Sequence, residues 1–185
     1  MKLVRTKTLA AASAALVLAA TPAAHAQSWV ASGVTQASSG LEGGGGRAAS
    51  AGRAQTRMRI GADLAVDESP EDVFGGAVLV AVEPRTAFGI DGRYTRIVGR
   101  RLALSGGVTA YLQPGSLVGP VFAFEYRHPL GGEPTRVAGA PESSAPARFM
   151  LTAGPEADVF VVGSDLPDKT VLWQALFHVG LRVSL

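Results

Sequence analysis

From Gln55 to the C-terminus, apolar and polar positions alternate with a period of two, and helical periodicity is weak. A strand points successive side chains to opposite faces, so such alternation predicts strands with one apolar and one polar face. In TRMRIGADLAV, Met58, Ile60, Ala62, Leu64 and Val66 fall on one face, with Arg57, Arg59, Gly61 and Asp63 on the other. Thr86 to Val98 sets Phe88, Ile90 and Tyr94 against Asp91, Arg93 and Thr95. Arg101 to Leu112 sets Leu102, Leu104, Val108, Ala110 and Leu112 against Ser105, Gly107, Thr109 and Tyr111. Leu117 to His128 sets Phe122, Phe124 and Tyr126 against Glu125 and Arg127. The final segment sets Phe177, Val179, Leu181, Val183 and Leu185 against His178, Gly180, Arg182 and Ser184.

Three further segments complete the expected set. Gly75 to Glu83 is apolar on both faces, with the smaller residues on one. Arg148 to Gly154 and Asp158 to Gly163 read as short strands joined by a tight turn at Pro155-Glu156-Ala157. The count is then eight, or seven if those two form one bent strand. Gly and Pro mark the connections. Asp67 to Phe74, Pro129 to Ala147 and Ser164 to Thr170 are the longer ones, and Pro84-Arg85, Val98-Gly99-Arg100 and Gln113 to Ser116 are tight. With a periplasmic start at Gln55, the longer connections fall mainly on the outer side, and Val98-Gly99-Arg100 becomes a short outer loop.

Alternation alone does not say whether the apolar faces turn inward, as in a soluble barrel, or outward to lipid, as in a membrane barrel. Several segments run to about ten residues, the length a tilted spanning strand needs, whereas soluble strands centre on about five or six. The polar faces carry both signs of charge, which could pair inside an eight-stranded barrel, whose interior is just wide enough for side chains to fill it. The chain also ends within an alternating strand, which can pair with the first strand and remove the edges that lipid does not tolerate. The expected architecture is all-β: a single antiparallel up-and-down β-barrel, eight-stranded, over residues 55–185.

The ending Phe177-His178-Val179-Gly180-Leu181-Arg182-Val183-Ser184-Leu185 resembles the C-terminal β-signal of bacterial outer-membrane proteins. With the strand pattern, residues 55–185 are similar in architecture to the small barrels of the OmpA transmembrane-domain, OmpX and OmpW type. The resemblance implies outer-membrane lipid as the surroundings and the barrel-insertion machinery as a partner during assembly.

The N-terminal region supports export. Lys2, Arg5 and Lys7 precede an uncharged apolar run from Leu9 to Ala20, and Ala24-His25-Ala26 offers small residues at a cleavage site. Residues 1–26 therefore read as a signal peptide; the apolar run falls short of the ~20 residues of a spanning helix. Gln27 to Ala54 is rich in Ala, Ser and Gly, including Gly43-Gly44-Gly45-Gly46, and reads as a flexible linker. Of 17 basic and 15 acidic residues, three basic ones leave with the signal, so the mature chain carries 14 against 15. That balance gives no basic footprint for a nucleic acid. There is no cysteine, which excludes a disulfide scaffold and a lipid-modified N-terminal cysteine.

Candidate chemistry is sparse. Arg57, Arg59, Asp63, Asp91, Arg93, Glu125, Arg127, His178 and Arg182 share the polar faces and form a candidate barrel-interior network. Arg96, Arg100 and Arg101 cluster at the expected outer loop, where arginine could grip lipopolysaccharide phosphate. Trp173, Phe160, Tyr111 and Tyr126 are candidates for interfacial aromatic girdles. No spacing of His128 and His178 suggests a metal site, and no metal or cofactor is expected. A catalytic role is not expected either, since no G-x-S-x-G elbow is present. The function read from these residues is an outer-membrane barrel with a structural, adhesive or narrow-pore role. Two alternatives stay open: a soluble periplasmic or secreted lipocalin-like barrel holding an apolar ligand, and an outer-membrane lipid hydrolase in which His178 works with Ser105 or Thr109.

Overall fold

Eight strands follow one another and close on themselves: β1 Trp29–Gly44, β2 Arg53–Val66, β3 Ser69–Glu83, β4 Ala87–Val98, β5 Leu102–Gln113, β6 Leu117–Leu130, β7 Phe149–Phe160 and β8 Leu172–Ser184. Every neighbouring pair is antiparallel, and β8 pairs with β1 to seal the barrel. This architecture comes from a computed structural model, which describes residues 29–44, 52–66, 69–130, 149–164, 166 and 170–185. The expected signal peptide, 1–26, and the connection 131–148 lie outside the described residues.

Two expectations about the strands are corrected. The first barrel strand is not at Gln55. Trp29–Gly44, expected to be linker, is β1 and pairs along its length with both β2 and β8. Its small residues do not stop it, because its backbone groups find partners on both sides and its short inward side chains (Ser32, Val34, Gln36, Ser38) fit a crowded lumen. Second, the segments on either side of Pro155 are one continuous strand, β7, and no turn occurs there. Proline lacks an N–H and is rare in a central strand. Here the β6–β7 register is broken between Ala123↔Glu156 and Tyr126↔Ala153, and Pro155 falls in that gap while still pairing opposite Phe177 of β8.

The added strand exchanges the ends expected for the connections from 67–68 to 131–148. One end of the barrel, the terminal end, carries Trp29, Leu185 and the connections 67–68, 99–101 and 131–148. The other, the mouth, carries 45–52, 84–86, 114–116 and 161–171. The longest connection therefore lies at the terminal end, and the expected asymmetry of loop lengths does not hold.

The alternation resolves into an inward polar face and an outward apolar one. Met58, Ile60, Phe74, Val78, Phe88, Ile90, Leu104, Val108, Phe122, Phe124, Phe177 and Val179 all point outward and are exposed. From Met58 to Leu64, Phe74 to Val82, Phe88 to Tyr94, Leu102 to Leu112, Val118 to Tyr126 and Trp173 to Val183, no outward position carries Asp, Glu, Lys or Arg. Along β8 the apolar outward set spans ten residue steps, about 33 Å of strand and, at a barrel tilt of ~40°, about 25 Å of height. The aromatic candidates divide: Trp173 and Tyr126 are outward, but Tyr111 and Phe160 point inward, their rings tilted at 51° with centroids 5.6 Å apart.

Candidate functional site: the charged lumen

The lumen is filled by long polar side chains set beside small ones. Arg93 on β4 has Gly75 and Gly107 as its two cross-strand neighbours. His178 on β8 lies between Ser38 and Gly154, and Arg57 on β2 between Ser38 and Ala81. In a barrel of eight strands there is little space to spare, and these three large side chains extend over neighbours with little or no side chain.

Three groups of contacts run from the mouth toward the terminal end. Nearest the mouth, Arg57 donates to Asp158 Oδ2 at 2.8 Å, to Tyr111 Oη at 3.3 Å and to Gln174 Oε1 at 3.4 Å, and also pairs with Glu156. Thr109 Oγ1 donates to the other oxygen of Asp158 at 2.9 Å. In the middle, Asp91 receives Arg59 Nε at 2.9 and 3.1 Å and Arg93 Nε at 2.6 Å, while Arg93 grips Glu156 with two bonds of 2.9 and 3.1 Å. Toward the terminal end, Arg182 meets Asp63 at 2.6 Å and Arg127 meets Glu125 at 2.6 Å. Gln36 joins the last two groups, accepting from Arg59 at 3.5 Å and donating to Glu125 at 3.1 Å.

All nine residues of the candidate interior network are thus inward and buried, and the contacts bring them together. Three of their partners, and Glu42 at the mouth, are not apparent from the sequence. Glu156 and Asp158 are hidden by reading Pro155 as a turn; unbroken inward spacing from Thr152 to Phe160 is the signal that places them. Gln36 and Glu42 lie on the strand read as linker. Among the buried residues described, five arginines (57, 59, 93, 127, 182) face six carboxylates (42, 63, 91, 125, 156, 158). The sixth, Glu42, lies at the mouth, 3.7 Å from the exposed Arg53. A bare ion in a medium this dry would cost several kcal/mol, so near-complete pairing is what makes the arrangement tenable.

The mouth side of the lumen holds an apolar cluster beside the polar Glu42, Gln55 and Gln174. Leu79, Ala81, Ala87, Tyr111, Leu117, Phe160 and Leu172 form one buried cluster, with Leu166 packed against it.

Arg96, Arg100 and Arg101 are at the terminal end. Arg96 is held by Asp72 at 2.5 Å and approaches Glu71 at 3.7 Å, and Arg101 donates to Tyr126 Oη at 3.1 Å. His178 lies in the lumen with Glu125 and Glu156 at 3.7 and 3.8 Å, and its ring nitrogens make no hydrogen bond. The hydroxyls offered as its partners are engaged elsewhere, Thr109 with Asp158 and Ser105 with Thr95 at 2.8 Å. Among the described residues no three His, Cys, Asp or Glu side chains are grouped to hold a metal ion.

Fold and site together define a closed eight-stranded up-and-down barrel with a charged, side-chain-filled lumen. No protein-family model, curated protein or solved structure matches the chain.

Proposed function

We propose that the protein is an outer-membrane barrel whose lumen is packed shut, with a structural or adhesive role rather than that of a pore. One observation carries this: the apolar faces of the strands turn outward and the charges turn inward. A soluble monomer rarely exposes an apolar patch beyond a few hundred Å², and this band covers the outward faces of β2 to β8, reaching along β8 about the ~25 Å height of a membrane barrel's apolar belt. A lipocalin-like barrel needs the reverse arrangement, an apolar lumen; here the inward apolar cluster is confined to the mouth. The lipid-hydrolase reading loses support because His178 is buried in the lumen, away from the lipid-facing wall. A narrow pore is disfavoured by the paired charges whose side chains fill the lumen.

In this reading both termini face the periplasm, as in barrels with an even strand number, and export by a signal peptide at 1–26 is part of the proposal. Arg96, Arg100 and Arg101 then face the periplasm, so the lipopolysaccharide contact is withdrawn. Carbonate extraction of membranes, with mobility on gels before and after boiling, tests the location. Retention in the pellet and a boiling-dependent shift are expected, and release into the soluble fraction would overturn it. Planar-bilayer recording tests the closed lumen; steady ion conductance from the purified barrel would reject it.

A further inference from the structure

The mouth contains a cup of about 280 Å³, lined among others by Glu42, Arg53, Arg85, Leu117, Leu166 and Leu172. It shares Glu42, Pro84, Arg85 and Leu117 with a recess of about 10 Å³, to which Gln55, Tyr111 and Gln174 also contribute. That is the room of one small polar group.

The recess offers acceptors. Gln55 is 2% exposed, and its Oε1 accepts no hydrogen bond. Glu42 is also buried; its Oε2 takes a bond from Gln174 Nε2 at 2.9 Å, and its Oε1 has Arg53 at 3.7 Å, beyond hydrogen-bond range. A buried amide oxygen without a donor, in a recess that a carboxylate also lines, calls for a cationic donor, and an ammonium has three N–H groups. The cup above is of the opposite character. Arg53 and Arg85 bring guanidinium groups suited to a carboxylate, and Leu117, Leu166 and Leu172 supply an apolar wall.

We propose that this cup binds a free α-amino acid with an apolar side chain. The ammonium enters the recess against Glu42 and Gln55, the carboxylate turns to Arg53 and Arg85, and the side chain lies on the leucines. An α-amino acid carries its two charges on one carbon, and Glu42 and Arg53 present their opposite charges at a similarly short separation. The volume falls just below the ~300–1,000 Å³ of pockets for drug-sized ligands, which suits a molecule of this size. The inference does not rest on the membrane reading: binding is measured on the folded barrel wherever that barrel resides, so a protein that failed carbonate extraction could still pass this test.

The experiment is calorimetric titration of the full chain, folded in detergent micelles, with L-leucine, N-acetyl-L-leucine and L-leucinamide. Saturable binding of L-leucine is expected, weakened at least tenfold in N-acetyl-L-leucine, which lacks the ammonium, and several-fold in L-leucinamide, which lacks the carboxylate. Glu42→Gln is expected to weaken L-leucine about tenfold, a loss of about 1.4 kcal/mol. Glu42 is buried, so that variant's fold is checked by its unboiled gel mobility. The exposed Arg53→Gln is the second variant, expected to weaken L-leucine several-fold without touching the interior. No saturable heat with L-leucine, or equal affinity for N-acetyl-L-leucine, would overturn the proposal. So would an Arg53→Gln barrel that binds L-leucine and L-leucinamide as the unaltered protein does.

Discussion

Replacing Val78 with arginine separates a lipid-facing wall from a water-facing one. Val78 is outward on β3, 54% exposed, and level with Ile60 on β2 and Ile90 on β4. It is the middle of the outward run from Phe74 to Val82, so in a bilayer it sits near the midplane. Arginine on the lipid face of a barrel at that depth costs about 2–4 kcal/mol, falling to about 0–1 near the interfaces. At 1.4 kcal/mol per factor of ten, the unfolding equilibrium should shift by roughly thirty- to several hundred-fold. The same change at a solvated surface lies within about 0.5 kcal/mol. Leu102→Arg, outward next to the terminal-end turn, supplies the depth control. Denaturant titration of barrels folded into phosphatidylcholine vesicles reads both, through the fluorescence of the outward Trp29 and Trp173. A Val78→Arg barrel as stable as the unaltered one, or no more affected than Leu102→Arg, would refute the outward-to-lipid assignment.

Other consequences follow from the interior. Asp91→Asn removes the carboxylate that holds both Arg59 and Arg93; breaking a buried ion pair from one side costs about 3–5 kcal/mol, so the unfolding midpoint should fall steeply, and a midpoint unchanged would mean water already solvates those guanidiniums. Phe160→Ala opens a void in the mouth cluster, where Phe160 is wholly buried against Tyr111, and should cost about 3–5 kcal/mol; thermal unfolding followed by gel mobility checks it, and a cost below about 1 kcal/mol would contradict the packed mouth. Gly154→Ala would drive a Cβ onto the Phe124 carbonyl oxygen, whereas Gly33→Ala points outward with nothing within 4 Å; folding yield in vesicles should drop for the first and hold for the second, and equal yields would count against the close approach of β6 and β7.

Much of this architecture was legible because alternation is a local property. Met58 and Arg59, or Phe124 and Glu125, announce their opposite faces with no knowledge of the partner strand. The failures lie where local composition and tertiary pairing disagree. Trp29–Gly44 has little apolar surface of its own and reads as linker; it is a strand because β2 and β8 supply backbone partners along nearly all of it. Pro155 signals a turn, yet its missing N–H falls where the β6–β7 register is already interrupted. The two errors cancel in the strand count, but in sidedness only beyond Pro155. Each strand reverses the chain, so the strand overlooked at the start exchanges the two ends of the barrel for every connection up to 131–148, and the turn wrongly placed at Pro155 restores the expected end for 161–171. The turn bearing Arg100 and Arg101 moves from the outer to the terminal end on that ground alone, while the facing of Arg57 or Glu125 is untouched, because facing depends on residue parity within a strand. Lumen membership is therefore the robust inference from such a sequence. Any role that depends on which end a loop occupies needs the complete list of strands first.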